Sequence, residues 1–200
     1  MSGPSATYFG NNNNNNKGRS ARHHALNDLI ARSFASAGVP VTKEPIGLFR
    51  SDGKKPDGLT LVPWQSGKSL CWDVTVSCPL AESYVTEAAR EAGAAAELAA
   101  TRKEVKYSGI VGRHMFEPIA VETLGIFNAS AIRLLNDLGR RISSISGDTR
   151  ETSHLYQQVS VLVQRFNAVC YTTACRSLTA RTKHHTLSVY FRQFLNLPRK

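Results

Sequence analysis

Apolar residues recur along this chain at two spacings, and each change of spacing marks a change of element. Leu26, Leu29, Ile30 and Phe34 repeat at helical intervals, which predicts an amphipathic helix from about Arg22 to Ala37, ended by Gly38 and Pro40. Pro45 to Phe49, preceded by Glu44, reads as a first strand, and Arg50 to Lys55 as a basic turn. Two β-rich runs, Lys54 to Trp64 and Lys68 to Val76, flank Gln65-Ser66-Gly67, the signature of a hairpin turn. In the second run Leu70, Trp72, Val74 and Val76 share one face, while Cys71, Asp73 and Thr75 share the other.

After Pro79 the pattern returns to helical over about Ala81 to Tyr107, where Tyr84, Ala88, Ala92, Ala95 and Ala99 form a small-residue stripe suited to close packing on a sheet. Lys103 and Lys106 stand three apart near its end and share a face. Phe116 to Leu124 reads as a fourth strand, with Pro118 limiting its pairing. A helix follows from about Ala129 to Ile142. Asp148 and Glu151 then resemble a capping box that opens a long helix carrying Leu155, Val159, Leu162, Phe166, Val169 and Thr173. The order of helix, three strands, helix, strand and helices predicts an α/β protein. Residues 1–20, with an unbroken run from Asn11 to Asn16, read as a disordered leader. Residues 21–125 read as the core, 126–180 as a C-terminal helical extension and 181–200 as a basic tail.

Charge changes this picture more than composition does. The formal net charge of the 200 residues is +10, which favours polyanionic partners. No acid follows Glu151, whereas Arg165, Arg176, Arg181, Lys183, Arg192, Arg199 and Lys200 do. The cysteines Cys71, Cys78, Cys170 and Cys175 make no C-x-x-C pair, which argues against a zinc knuckle and for reduced thiols. No apolar run nears the roughly 18 residues that span a bilayer, and the N-terminus lacks the apolar core of a secretion signal. The expectation is a soluble nuclear or cytoplasmic protein without membrane partners.

The candidate chemistry lies in the central hairpin. Folding it about its turn brings Asp57, at the mouth of one strand, close to Asp73 on the other. Asp is disfavoured inside strands, so its place in so apolar a run needs a cause. Two converging carboxylates suit Mg²⁺ or Mn²⁺, a hard ion that can bridge a phosphate and acidify water. Glu44 is a candidate third ligand. His23 and His24 are adjacent and diverge around the helix, unlike a chelating pair four apart.

Helix, three-strand meander, crossover helix and further strand, with Pro56-Asp57 at the second strand and Asp73 in the third, resemble the restriction-endonuclease-like PD-(D/E)XK fold. The likeness extends to Arg22-His23-His24, Glu44-Pro45, Lys55-Pro56-Asp57, Asp73-Val74-Thr75-Val76 and Lys103-Glu104-Val105-Lys106-Tyr107. Together these resemble the endonuclease domain of site-specific non-LTR retrotransposons, over Arg22 to Tyr107. That resemblance implies a divalent-metal-dependent endonuclease that nicks double-stranded DNA, with Asp57 and Asp73 as metal ligands and a lysine assisting the attacking water. The chain departs from the pattern at Thr75, where many such enzymes have lysine. Either a lysine arrives from elsewhere, Lys103 or Lys106 on the crossover helix, or the site is silent. The alternatives are a catalytically inactive module that binds DNA or RNA, and an assembly protein whose C-terminal helices pair in a homodimer.

Overall fold

Leu26, Ile30 and Phe34 lie on the inner face of the first helix and, with Trp72, nucleate the main core of the chain. The computed structural model describes residues 13–48, 55–110 and 112–181. Ten segments follow in order: α1 (Asn13–Ser36), β1 (Val41–Lys43), β2 (Gly58–Thr60), β3 (Leu70–Ser77), α2 (Val85–Ala88), α3 (Ala94–Lys106), a 3-10 turn (Ser108–Ile110), β4 (Met115–Glu122), α4 (Ala129–Ser146) and α5 (Glu151–Arg181). The chain is mixed α/β, with one four-stranded sheet in the order β1-β2-β3-β4. β1, β2 and β3 form an antiparallel meander, and β4 joins β3 in parallel after the crossover through α2 and α3.

The sheet is covered on both faces. Leu70, Trp72 and Val74 of β3 and Ile119 and Val121 of β4 pack against α1, α4 and α5 in a single apolar cluster. Phe34 stacks on Trp72 with ring centroids 4.8 Å apart and meets Trp64 edge-on. Emptying a site as large as Trp72 costs about 3–5 kcal/mol. The other face carries Cys71, Asp73 and Ala120, and against it lie Ala96, Ala99 and Ala100 of α3. Leu134, Leu135, Leu138, Leu155, Val159 and Val163 belong to the same cluster as the sheet, so α4 and α5 share the core of the preceding elements.

Several boundaries differ from the sequence reading. α1 begins at Asn13, so part of the Asn-rich leader is helical; propagation adds a bond per residue once the Leu26-to-Phe34 segment has formed the nucleus. The first strand is Val41–Lys43, and the expected strand from Pro45 does not form over the described residues 45–48, Phe49 lying outside them. Glu44 takes a left-handed φ of 47° and Pro45 has no N–H to donate, so the chain turns off the ladder there. β2 ends at Thr60 because its hydroxyl, rather than backbone, receives the Leu70 N–H at 2.9 Å. The Ser66-Gly67 turn stands as expected, both residues at positive φ, in the pattern of a type I′ hairpin.

The long Ala-rich helix is broken in two. Gly93, at φ 92°, starts α3 afresh, and Ala92 is exposed, so the packed stripe is Ala95, Ala96, Ala99 and Ala100. β4 stops at Glu122, two residues short of Leu124. It is an edge strand, which accommodates Pro118. Asn128 covers that edge: its Oδ1 accepts the Ala120 N–H at 2.9 Å and its Nδ2 donates to the Pro118 carbonyl at 3.2 Å. On α5 the buried face is Leu155, Val159 and Val163, while Val169 is exposed. Residues 1–12, most of the Arg50 to Lys55 turn, the side chains of Thr173 and Cys175, and residues 182–200 lie outside the described residues. No described helix is long and apolar enough to cross a membrane.

Candidate functional site

The register of the hairpin decides where the acids meet. Gly58 pairs with Trp72, and the Asp57 N–H continues the ladder to the Trp72 carbonyl at 2.9 Å, so Asp57 stands opposite Asp73. Gly58 is required at this pairing: a Cβ there would fall 2.0 Å from the Trp72 indole. With the glycine backbone beneath it, Trp72 turns to the core and Asp73, its neighbour on β3, turns to the opposite face, while the Asp57 carboxylate lies at the strand edge towards α1.

Each carboxylate is fixed by partners distant in sequence. Asp57 Oδ2 accepts the Val74 N–H at 2.6 Å and lies 3.0 Å from His23 Nε2 on α1. One turn on, Asn27 donates to the Asp57 carbonyl at 3.1 Å and accepts from the Trp72 indole N–H at 2.9 Å, which ties α1 to both strands. Asp73 Oδ1 accepts from Lys103 Nζ on α3. The Tyr107 hydroxyl donates to the Lys55 carbonyl at 2.9 Å, holding the lead-in to Asp57. Lys106 reaches the same hydroxyl at 3.0 Å.

α3 is aimed at the site from its far end. Gly93 offers no capping side chain, and Glu122 of β4 takes that role, its Oε1 accepting the N–H groups of Ala95 at 3.1 Å and Ala96 at 3.4 Å. The helix dipole favours a carboxylate at this terminus. α3 therefore starts on the end of β4 and finishes with Lys103 over the middle of β3.

The charges perturb one another. The hydrogen bond that His23 donates to Asp57, with the nearby Asp73, outweighs burial and Lys103 and holds His23 above its ordinary imidazole range. Burial, then Asp73 and Asp57, pushes the Cys71 thiol up to about 12. Burial also raises the Tyr107 phenol, and Asp73 adds to it.

The geometry thus brings together Asp57, Asp73 and Lys103, with Lys106 one residue away through Tyr107. It does not bring in Glu44. That side chain is exposed, and only its N–H meets the site, donating to the Asp57 carbonyl at 3.1 Å; the strand that was to present it does not form. Among the described residues no group of three or more His, Cys, Asp or Glu side chains is arranged to hold a metal ion. Two facing carboxylates still suit Mg²⁺, which keeps several waters and takes one or two protein carboxylates together with phosphate oxygens. The sequence reading weighed His23 only as a metal ligand, quoted Tyr107 only as part of the Lys103-to-Tyr107 stretch, and passed over Asn27 and Glu122. The signal for His23 and Asn27 was a polar pair four apart in line with Ile30 and Phe34 on an apolar helix face. No protein-family model matches this chain, and no curated protein matches it either.

Proposed function

We propose that this chain is a divalent-metal-dependent DNA endonuclease with a core of the PD-(D/E)XK kind. The observation that carries the reading is the opposition of Asp57 and Asp73 across two strands with Lys103 Nζ on Asp73. Asp57 and Asp73 would hold Mg²⁺ or Mn²⁺. Such an ion, when bound, supplies a Lewis acid for the phosphate and lowers the pKa of water.

The remaining work falls to the chain. His23 and the Val74 N–H hold Asp57 Oδ2 in place, so the carboxylate needs no reordering when substrate arrives. Lys103 Nζ, held on Asp73 Oδ1, would orient the attacking water and stabilise charge growing on the phosphoryl oxygens. Water attacks phosphorus, the bond to one bridging oxygen breaks, and that oxygen leaves with a proton. A DNA substrate accords with the net charge of +10.

A second reading, a catalytically silent nucleic-acid-binding module, draws on Thr75 and on the direct pairing of Asp73 with Lys103, which satisfies the carboxylate without an ion. Supercoiled plasmid separates the two. With Mg²⁺ or Mn²⁺ the wild-type chain should nick it and a chelator should stop it, while Asp57→Asn and Asp73→Asn should not cut yet should bind DNA as well or better. A wild-type chain that binds but never nicks in either metal is the silent module.

A further inference from the structure

β2 pairs with β3 only as far as Trp72, which leaves the next stretch of β3 facing a cleft of about 230 Å³ between α1 and α3. Among the described residues Arg19, Arg22, His23, Thr75 and Lys103 line it, and no carboxylate does. Arg22 is only 8% exposed and is held in place: its Nη1 donates to Asn167 Oδ1 at 2.7 Å, and Asn167 in turn donates to the Thr123 carbonyl at 2.6 Å. Arg19, one turn earlier on the same face of α1, is exposed. Strand alternation sends every second N–H to the same edge. Asp57 receives that of Val74, and the Val76 N–H is the next to face the cleft.

The ligand follows from size, charge and wall chemistry. Among the described residues Arg19, Arg22 and Lys103 outnumber Asp57 and Asp73 by one, so an anion is favoured. The volume falls short of the roughly 300–1,000 Å³ of a small-molecule pocket and suits one phosphate group with its flanking atoms. Among the described residues no Phe, Tyr or Trp lines the walls, so none of them stacks a base there. We propose that this cleft seats one phosphodiester of a polynucleotide backbone, with Arg19 and the Thr75 hydroxyl in contact with its oxygens, and that it does so without a metal ion. The proposal deepens the nuclease reading and takes the polynucleotide from it, while the anion chemistry rests on the cleft alone. Contacts of this kind position a duplex and carry no sequence information.

The test is the affinity of the full chain for a short fluorescein-labelled DNA duplex in EDTA, across a salt series, with thermal melting to confirm folding. Arg19→Gln should weaken binding about tenfold and flatten the log-log salt slope by about 0.9. Thr75→Val, which changes no charge, should weaken it about threefold at an unchanged slope. Arg150→Gln is the control, since Arg150 pairs with Asp148 and lies about 25 Å from Asn167 along α5; it should bind as wild type. If Arg19→Gln weakens binding no more than Arg150→Gln, or Thr75→Val binds as wild type, the phosphodiester is not in this cleft. Plasmid nicking keeps the two ideas apart. Loss of binding in the Arg19 and Thr75 variants of a chain that never nicks leaves the seat standing without the nuclease; nicking with both variants binding normally does the reverse.

Discussion

Lys103 of α3 donates to Asp73 Oδ1 of β3 from 30 positions further along the chain, and it brings an ammonium to the carboxylate that Thr75, two residues from Asp73, cannot supply. The Asp73 side chain is 5% exposed and that of Lys103 23%. Lys103→Ala should therefore destabilise the fold by about 2 kcal/mol, less than a wholly buried pair would lose because the lysine keeps some solvent. It should also slow nicking by about 10². Adding Asp73→Asn should restore much of the urea midpoint and none of the activity. Stability that stays low in the double variant would mean that Lys103 acts through packing and not through charge.

Thr75→Lys supplies the lysine that the sequence pattern of such nucleases asks for, and it should lower the nicking rate. Thr75 lines the same cleft as Lys103, so a second ammonium there faces the first beside one carboxylate and in a small space. A rate above wild type would show that Lys103 does not fill the role.

Glu122 is 2% exposed and receives two N–H groups at the start of α3. Glu122→Ala should cost about 1–2 kcal/mol, the scale of a lost cap in a partly buried setting. Glu122→Gln keeps a carbonyl oxygen for the same N–H groups and should recover more than half of that loss. Thermal melts of the two variants measure it, and equal melts would show that the second oxygen or the charge, not the acceptor at Oε1, holds the helix.

Cys71 is buried under α3 with its thiol pushed up to about 12, first by burial and then by Asp73 and Asp57. Cys78 is exposed. Iodoacetamide at pH 8 should alkylate Cys78 in the native chain and Cys71 only after denaturation, because the thiolate is the reacting form. Peptide mass mapping with time reads both, and early label on Cys71 would mean that α3 opens from the sheet under native conditions.

What the sequence carried by itself is local. The Ser66-Gly67 turn was legible because a two-residue hairpin needs positive φ at both central positions. The inward face of β3 was legible because strand side chains alternate, and Leu70, Trp72 and Val74 do enter the core. The order of helices and strands followed from the same periods, whereas the breaks at Glu44 and Gly93 did not. A positive φ at a single residue leaves the apolar pattern around it unchanged.

The tertiary structure alone decided which side chains meet. Asp57 faces Asp73 because Gly58 admits the Trp72 indole, and that indole is held by Asn27 of α1. Lys103 reaches Asp73, and Lys106 reaches Tyr107, because Glu122 and the Ala95-to-Ala100 face fix both the start and the height of α3 over the sheet. Glu44 falls away because Pro45 follows a left-handed turn. Residue spacing determines which positions share a face of one element; it carries no information on the distance between faces of different elements. That distance is set by packing, and here packing brings His23, Asp57, Asp73 and Lys103 to one place from a helix, two strands and a second helix.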